Sequence, residues 1–212
     1  MSQTVWIARH GNRQDFVDSS WHRTAERPFD PGLAADGILQ AKELGKRLQG
    51  EKIAHIFASP FLRTVETAHY VAEALDLSIK VESGLSEFLN PNWFFSTPEC
   101  LTLDSLFQLF PRVDRSYTSR VIAEFPETEQ TALRRAGKVA RRLATEFPQN
   151  LLLVGHGASV LGATRGLLED PVHVSCPLCG LFKLVKQGDE WLMELSGDIS
   201  HLSRTEQNIR YI

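Results

Sequence analysis

The sequence predicts an α/β fold: a three-layer sandwich in which a mostly parallel central sheet carries helices on both faces and a partly helical insertion. Three observations predict it. Val5–Ala8 and Leu151–Val154 are short continuous apolar runs and Ile53–Ala58 is apolar but for His55, without the polar alternation of a strand wetted on one side, so each reads as a strand covered on both faces. Amphipathic stretches with helical spacing lie between them, and strands alternating with helices favour a parallel sheet. The length, 212 residues, allows one sizeable core and is short for two. The expectation is one domain over 1–212, with an insertion at about 88–127.

Val5–Ala8 is the first strand. Asp36–Leu48 is a helix with Gly37, Ala41, Leu44 and Leu48 on one face and Gly50 as its stop. With Ala34 at the position before it, Asp36 is the expected cap. Ile53–Ala58 is the second strand and runs into Ser59-Pro60, where Ser59 suits a helix cap and Pro60 a first helical position. That helix continues to about Asp76 on a stripe of Phe61, Val65, Ala68, Ala72 and Leu75, and Ile79–Val81 is a short strand. The segment Glu87–Pro126 breaks the pattern with Pro91, Pro98, Pro111 and Pro126 and with Trp93, Phe94, Phe95, Phe107, Phe110 and Tyr117; it reads as the insertion. Thr128–Phe147 is a helix through Leu133, Ala136, Ala140 and Leu143, ended by Pro148. Leu151–Val154, a Gly-His-Gly turn, a helix over about Ser159–Leu168, and a hairpin of Gly180–Val185 with Trp191–Leu195 complete the chain.

Hydrophobic residues make up 42% and charged residues 23%, an ordinary globular balance, and the formal net charge is -3. There is no global basic field to hold nucleic acid. No apolar stretch approaches the roughly 20 residues of a membrane span, and the Val5–Ala8 run is far too short for a secretory apolar region. Three cysteines do not make a disulfide framework. The expected setting is therefore reduced and cytoplasmic, without membrane or nucleic-acid partners. An exposed edge strand would leave room for a homodimer.

The three long strands end alike, in residues that suit an anion: Arg9-His10-Gly11, Ser59-Pro60 with Arg63, and Gly155-His156-Gly157. Ligands of an open parallel sheet bind beyond the carboxyl ends of its strands, so the three segments could share a pocket. Arg63 is the most telling, because a cation in the first turn of a helix is disfavoured by the dipole unless an anion joins it. Without an anion, solvent or a carboxylate such as Glu66 must explain it. Phosphoryl transfer needs a nucleophile, a cationic cradle and an acid for the leaving oxygen. Neutral histidine is a competent nucleophile, arginines supply permanent bidentate donors, and a second histidine, if protonated, adds another. Read singly, each histidine is equally a hydrogen-bonded structural residue, and Glu87 a solvated loop carboxylate.

Taken together, Ala8-Arg9-His10-Gly11, Ser59-Pro60-Phe61-Leu62-Arg63-Thr64-Val65-Glu66-Thr67-Ala68 and Val154-Gly155-His156-Gly157 resemble the three signatures of the histidine phosphatase superfamily, also called phosphoglycerate mutase-like, in the same order and over nearly the whole chain. The resemblance implies that His10 is the nucleophile, that Arg9, Arg63, His156 and Gly157 surround the phosphoryl group, and that Glu87 is the proton donor. The expected activity is that of a histidine acid phosphatase-like phosphomonoesterase, working through phosphohistidine on a small-molecule or phosphoprotein ester, with neither metal nor cofactor. Mutases of the superfamily usually carry an asparagine six residues after the nucleophile and Arg-His-Tyr-Gly after the acid. Here those places hold Phe16 and Phe88-Leu89-Asn90-Pro91, which favours hydrolysis. Within the phosphatase branch, Arg-His-Gly-Asn-Arg-Gln-Asp, Ser-Pro-Phe-Leu-Arg and the Trp191 region are similar to the T-cell-signalling suppressor phosphatase domains, which act on phosphotyrosine and related aryl esters. That similarity implies a pocket rim of Asn12, Arg13 and Asp15, although Asn12 stands where those domains usually have glutamate. Phosphoglycerate mutase-type transfer and a non-catalytic phospholigand-binding module remain the alternatives. Two signals carry no function in this reading: Cys176-x-x-Cys179, taken as free thiols, and the pairs Arg134-Arg135 and Arg141-Arg142, taken as a solvated helix face.

Overall fold

The computed structural model describes residues 2–203. In chain order the elements are β1 (Thr4–Arg9), α1 (Gln14–Val17), α2 (Trp21–Thr24), α3 (Ala35–Leu48), β2 (Ile53–Ala58), α4 (Leu62–Leu75), β3 (Ile79–Val81), a 3₁₀ turn (Ser83–Leu85), α5 (Leu103–Leu109), α6 (Glu129–Glu146), β4 (Asn150–Gly155), α7 (Gly157–Leu168), β5 (Leu181–Gln187) and β6 (Glu190–Asp198). One six-stranded sheet has the order β3-β2-β4-β1-β5-β6. Its first four strands run parallel, and the β5–β6 hairpin joins antiparallel along β1.

The apolar runs are double-sided, as their composition requires. In β1, Val5 and Ile7 enter the core under α6 and α7 with Val139, Leu143 and Val160. Trp6 and Ala8 enter the opposite core under α3 and α4 with Leu44, Leu48 and Val65. Adjacent residues thus feed opposite layers, which is the alternation of a pleated strand in a three-layer sandwich. The insertion contributes α5, whose Leu106 joins the α3–α4 core, and Val113, which pairs with Ile79 along the outer side of β3. Among the described residues, no helix is long and apolar enough to cross a membrane.

Two helix starts differ from the sequence expectation. Ser59 does not cap α4: the Leu62 amide donates to Asp30 Oδ1 at 2.7 Å, and the Ser59 hydroxyl shares a hydrogen bond with His156 Nε2 at 2.8 Å. Asp36 sits inside the first turn of α3 and accepts from Asn12 Nδ2 at 2.7 Å instead of capping. In both cases an oxygen placed to cap a helix is engaged elsewhere around the strand ends.

Candidate active site

The carboxyl ends of β1, β2 and β4 lie side by side and are stitched by main-chain bonds. The His10 amide donates to the Gly155 carbonyl at 3.0 Å, the Ser59 amide to the Val154 carbonyl at 3.0 Å, and the Cys179 amide to the His10 carbonyl at 3.1 Å. The Gly11 amide donates to Thr67 Oγ1 at 3.1 Å, which ties the loop after β1 to α4. α3 crosses so close to this loop that a Cβ on Gly11 would lie 2.6 Å from the Gly37 carbonyl oxygen. Glycine at both positions is what lets the helix back the turn this tightly.

On this floor His10 and His156 are fully buried, with ring centroids 5.3 Å apart. His10 Nδ1 lies 2.7 Å from the Gly11 carbonyl oxygen. A carbonyl only accepts, so Nδ1 carries the proton and Nε2 keeps its lone pair. That Nε2 is buried and has no hydrogen-bond partner among the described residues. Burial, and then the charges of Arg63 and Arg9, hold His10 well below the usual imidazole range, so it is neutral at pH 7.

Arg63 is 1% exposed, with Nε and Nη1 buried and without partners among the described residues. Burial, followed by the charge of Arg13, lowers it to about 10, so it remains a cation. Its carboxylate neighbour is Glu87, at 3.4 Å. Glu66, the sequence candidate, instead accepts the Leu33 amide. Arg9, also buried, donates from Nη1 to the Cys176 carbonyl at 2.8 Å. A Cβ on Gly157 would lie 4.0 Å from Arg9 Cζ.

Glu87 completes the group, with Oε2 3.3 Å from His156 Nδ1, a separation that misses hydrogen-bond alignment. Burial opposes its ionisation, but His156, Arg63 and the Phe88 amide outweigh it and hold the carboxyl well below the usual range. Burial pushes His156 down to about 4 despite the pull of Glu87. The resting pair is a carboxylate beside a neutral imidazole. His10, Glu87 and His156 present ligand atoms within 4.8 Å of one another, close enough to share a cation. The two guanidiniums whose charge already bears on His10 make the same space repel a cation and attract an anion.

Arg13 pairs with Asp15 and stacks on the Phe16 ring at 4.4 Å, while Asn12 is turned toward α3 through Asp36 and Gln40. Beside the floor lies a cleft of about 490 Å³, lined by Arg9, Glu87, Asn90, Glu129 and Gly157 and, over most of its surface, by apolar groups that include Phe88, Trp93, Leu133, Leu161 and Val174. A buried anion site under an apolar cleft is therefore what the three strand ends build.

A family model for the histidine phosphatase superfamily (branch 1) matches residues 5–199. The chain belongs to the histidine phosphatase superfamily. Among its relatives, human ubiquitin-associated and SH3 domain-containing protein A is 32% identical over 208 residues, covering 80% of this chain and 32% of that protein. The 55 kDa subunit of Saccharomyces cerevisiae transcription factor tau is 31% identical over 177 residues, covering 78% and 41%. The chain thus spans well under half the length of these relatives. A probable phosphoglycerate mutase GpmB of Yersinia pestis is 29% identical over 217 residues, covering 93% of this chain and 94% of that one. In three dimensions, the ecdysone phosphate phosphatase of Bombyx mori in complex with tungstate matches with a TM-score of 0.81 at 21% identity, covering 99% and 98%. That likeness establishes the histidine phosphatase fold for this chain.

Three residues that touch the groups of this candidate site are not legible as such in the sequence. Ser59 reads as a cap and Cys176 as a discounted thiol, yet the hydroxyl of one meets His156 and the carbonyl of the other meets Arg9. Arg135, expected on a solvated face, is buried with Glu127 beneath the Glu87 loop, whereas Arg134, Arg141 and Arg142 are exposed. Thr67, one turn after Arg63, was the more readable partner, since it lies within the signature helix.

Proposed function

We propose that the chain is a metal-independent phosphomonoester hydrolase that works through phosphohistidine at His10 Nε2. The observation that carries this is the fixed tautomer of His10, with a buried Nε2 lone pair that has no partner among the described residues and that lies within the field of Arg63 and Arg9. Nε2 attacks phosphorus, a P–N bond forms as the ester P–O bond breaks, and the leaving oxygen takes a proton from Glu87. The regenerated carboxylate removes a proton from water, whose oxygen then displaces His10, giving inorganic phosphate and neutral imidazole. Glu87 is ionised in the resting site. An arriving phosphate adds like charge beside it and draws on Arg63, and both effects raise its pKa and load it with a proton.

The cleft points to the leaving group. Its apolar lining offers Phe88 and Trp93, in edge contact at 5.3 Å, with Leu133, Leu161 and Val174. These suit an aryl or other bulky apolar alcohol. The Bombyx mori neighbour, an ecdysone phosphate phosphatase, supports the same substrate class. Phosphoglycerate mutase-type transfer is the second reading, favoured by the Yersinia relative. Against it, Arg9 is the one cation among the cleft's described lining residues, so little there would hold the carboxylate of phosphoglycerate.

The test is phosphate release from a panel of phosphomonoesters in the presence of EDTA, comparing the intact chain with His10→Ala. Turnover that survives chelation, favours apolar esters and vanishes with His10 is expected. Activity lost to EDTA would sink the metal-independent mechanism, and conversion of 3-phosphoglycerate to its 2-isomer would favour the mutase.

A further inference from the structure

Arg135 and Glu127 form an ion pair that nothing in the proposed chemistry consumes. Both are buried, 8% and 9% exposed. Arg135 Nε donates to Glu127 Oε1 at 2.6 Å and Nη2 to Glu127 Oε2 at 2.8 Å, a bidentate fork. The remaining donors turn to the loop that carries Glu87: Nη1 to the carbonyls of Gly84 at 2.8 Å and Ser86 at 3.1 Å, and Nη2 to the carbonyl of Glu87 itself at 3.0 Å. Glu127 grips the other side of that residue, because Oε2 accepts the Leu89 amide at 3.1 Å and its own amide donates to the Leu89 carbonyl at 2.9 Å.

This loop lies beyond β3, which ends at Val81, and apart from the turn at Ser83–Leu85 no helix or strand restrains it before α5. The Glu87 carboxylate accepts the Phe88 amide of its own loop at 3.0 Å, and its other neighbours are Arg63 at 3.4 Å and His156 at 3.3 Å without alignment. A phosphate in the site competes for both. What still aims the carboxylate then is its main chain.

We propose that Arg135, braced by Glu127, is the positioning residue for the proton donor: the pair fixes the main chain of 84–89 and thereby holds Glu87 at the leaving oxygen. The inference rests on the reading of Glu87 as the acid. Arginine is required because one planar fork serves the carboxylate and three carbonyls together, and a lysine ammonium cannot span them.

A group that positions an acid matters in proportion to the leaving group's need for a proton. Phenyl phosphate and p-nitrophenyl phosphate are close in shape, but p-nitrophenolate departs readily as the anion and phenolate does not. The experiment measures kcat/KM for both esters in the intact chain, in Arg135→Lys, in the Glu127→Gln/Arg135→Gln double variant, and in Glu87→Gln. The ratio of the two values does not depend on the fraction of correctly folded enzyme, so a destabilised variant still gives an answer. Glu87→Gln is expected to lose on the order of 100-fold more on phenyl than on p-nitrophenyl phosphate. Arg135→Lys and the double variant are expected to show the same selective loss at about 10-fold, with inhibition by inorganic phosphate unchanged. Equal losses on both esters, no loss, or weakened phosphate inhibition in the Arg135 variants would overturn the positioning role while leaving Glu87 as the acid. A Glu87→Gln variant without selective loss would remove the acid itself, and the proposal with it.

Discussion

The floor of the site and the loop above it are held in different ways. Arg9, His10 and His156 sit at the ends of paired strands, and Arg63 on the helix that leaves β2, so a continuous main-chain ladder places them. Glu87 sits on a loop without such a ladder and depends on side chains from 40 to 50 positions further along the chain. A ladder places groups whether or not a ligand is present, which suits a cradle for a charge of fixed shape. A loop braced by one buried ion pair can tolerate different leaving groups. The same division explains why the floor is polar and closed while the cleft beside Glu87 is apolar and open.

The largest expected effect tests the floor. His10→Ala should reduce kcat/KM by on the order of 10⁴-fold or more on every ester, since it removes the attacking nitrogen of the proposed mechanism. Residual turnover that depends on the leaving group would place the nucleophile elsewhere. Arg63→Met should cost about 10²- to 10³-fold, the usual effect of removing one transition-state donor. It should also raise the pKa of Glu87, because a cation that stabilises the carboxylate is gone, and the shift is read in the pH profile of kcat/KM. A profile unchanged in Arg63→Met would uncouple the floor from the loop.

Smaller effects test the cleft and the resting charge state. Trp93→Ala should raise KM about 10-fold for aryl esters and leave kcat within about threefold, because it removes apolar contact without touching the reacting atoms. A fall in kcat alone would give Trp93 a different role. For stability, His10 and His156 have lowered pKa values when folded, so the folded chain binds fewer protons than the unfolded chain below the ordinary value of 6.5. The stability from this source is complete above pH 6.5 and is lost as the pH falls toward about 4, where His156 protonates. Thermal melts across this window should show the decline, and His156→Gln should flatten it. A curve for His156→Gln as steep as that of the intact chain would mean that His156 does not titrate as its burial requires.

The same contrast governs what the sequence reveals. Residues at strand ends are legible because an apolar run announces the strand and the next residues must lie at its carboxyl end; the positions of Arg9, His10 and His156 follow from that, while their roles are assigned by the family resemblance. Arg63 is legible from its awkward place at a helix start. Glu87 is not, since nothing around Gly84–Phe88 distinguishes a buried carboxylate from a wet one, and only the family resemblance singles it out. Arg135 is misread because its neighbour Arg134 and its i+3 neighbour Lys138 are exposed, and burial of one cation in such a helix is decided by Glu127 and by three carbonyls distant in sequence. Ser59 shows the converse: local pattern assigns it to α4, yet His156 claims its hydroxyl and Asp30 takes over at the helix start.

One contact would also decide the regiochemistry of the proposed phosphohistidine. Because the Gly11 carbonyl occupies the proton on His10 Nδ1, phosphorus can be accepted only at the ring nitrogen farther from the main chain, which makes the tele isomer of phosphohistidine and not the pros isomer. The two isomers differ in acid lability and are told apart by isomer-selective antibodies. Trapping the phosphorylated chain should therefore give a single, tele-specific signal, and the position of the phosphoryl group is written by one backbone oxygen.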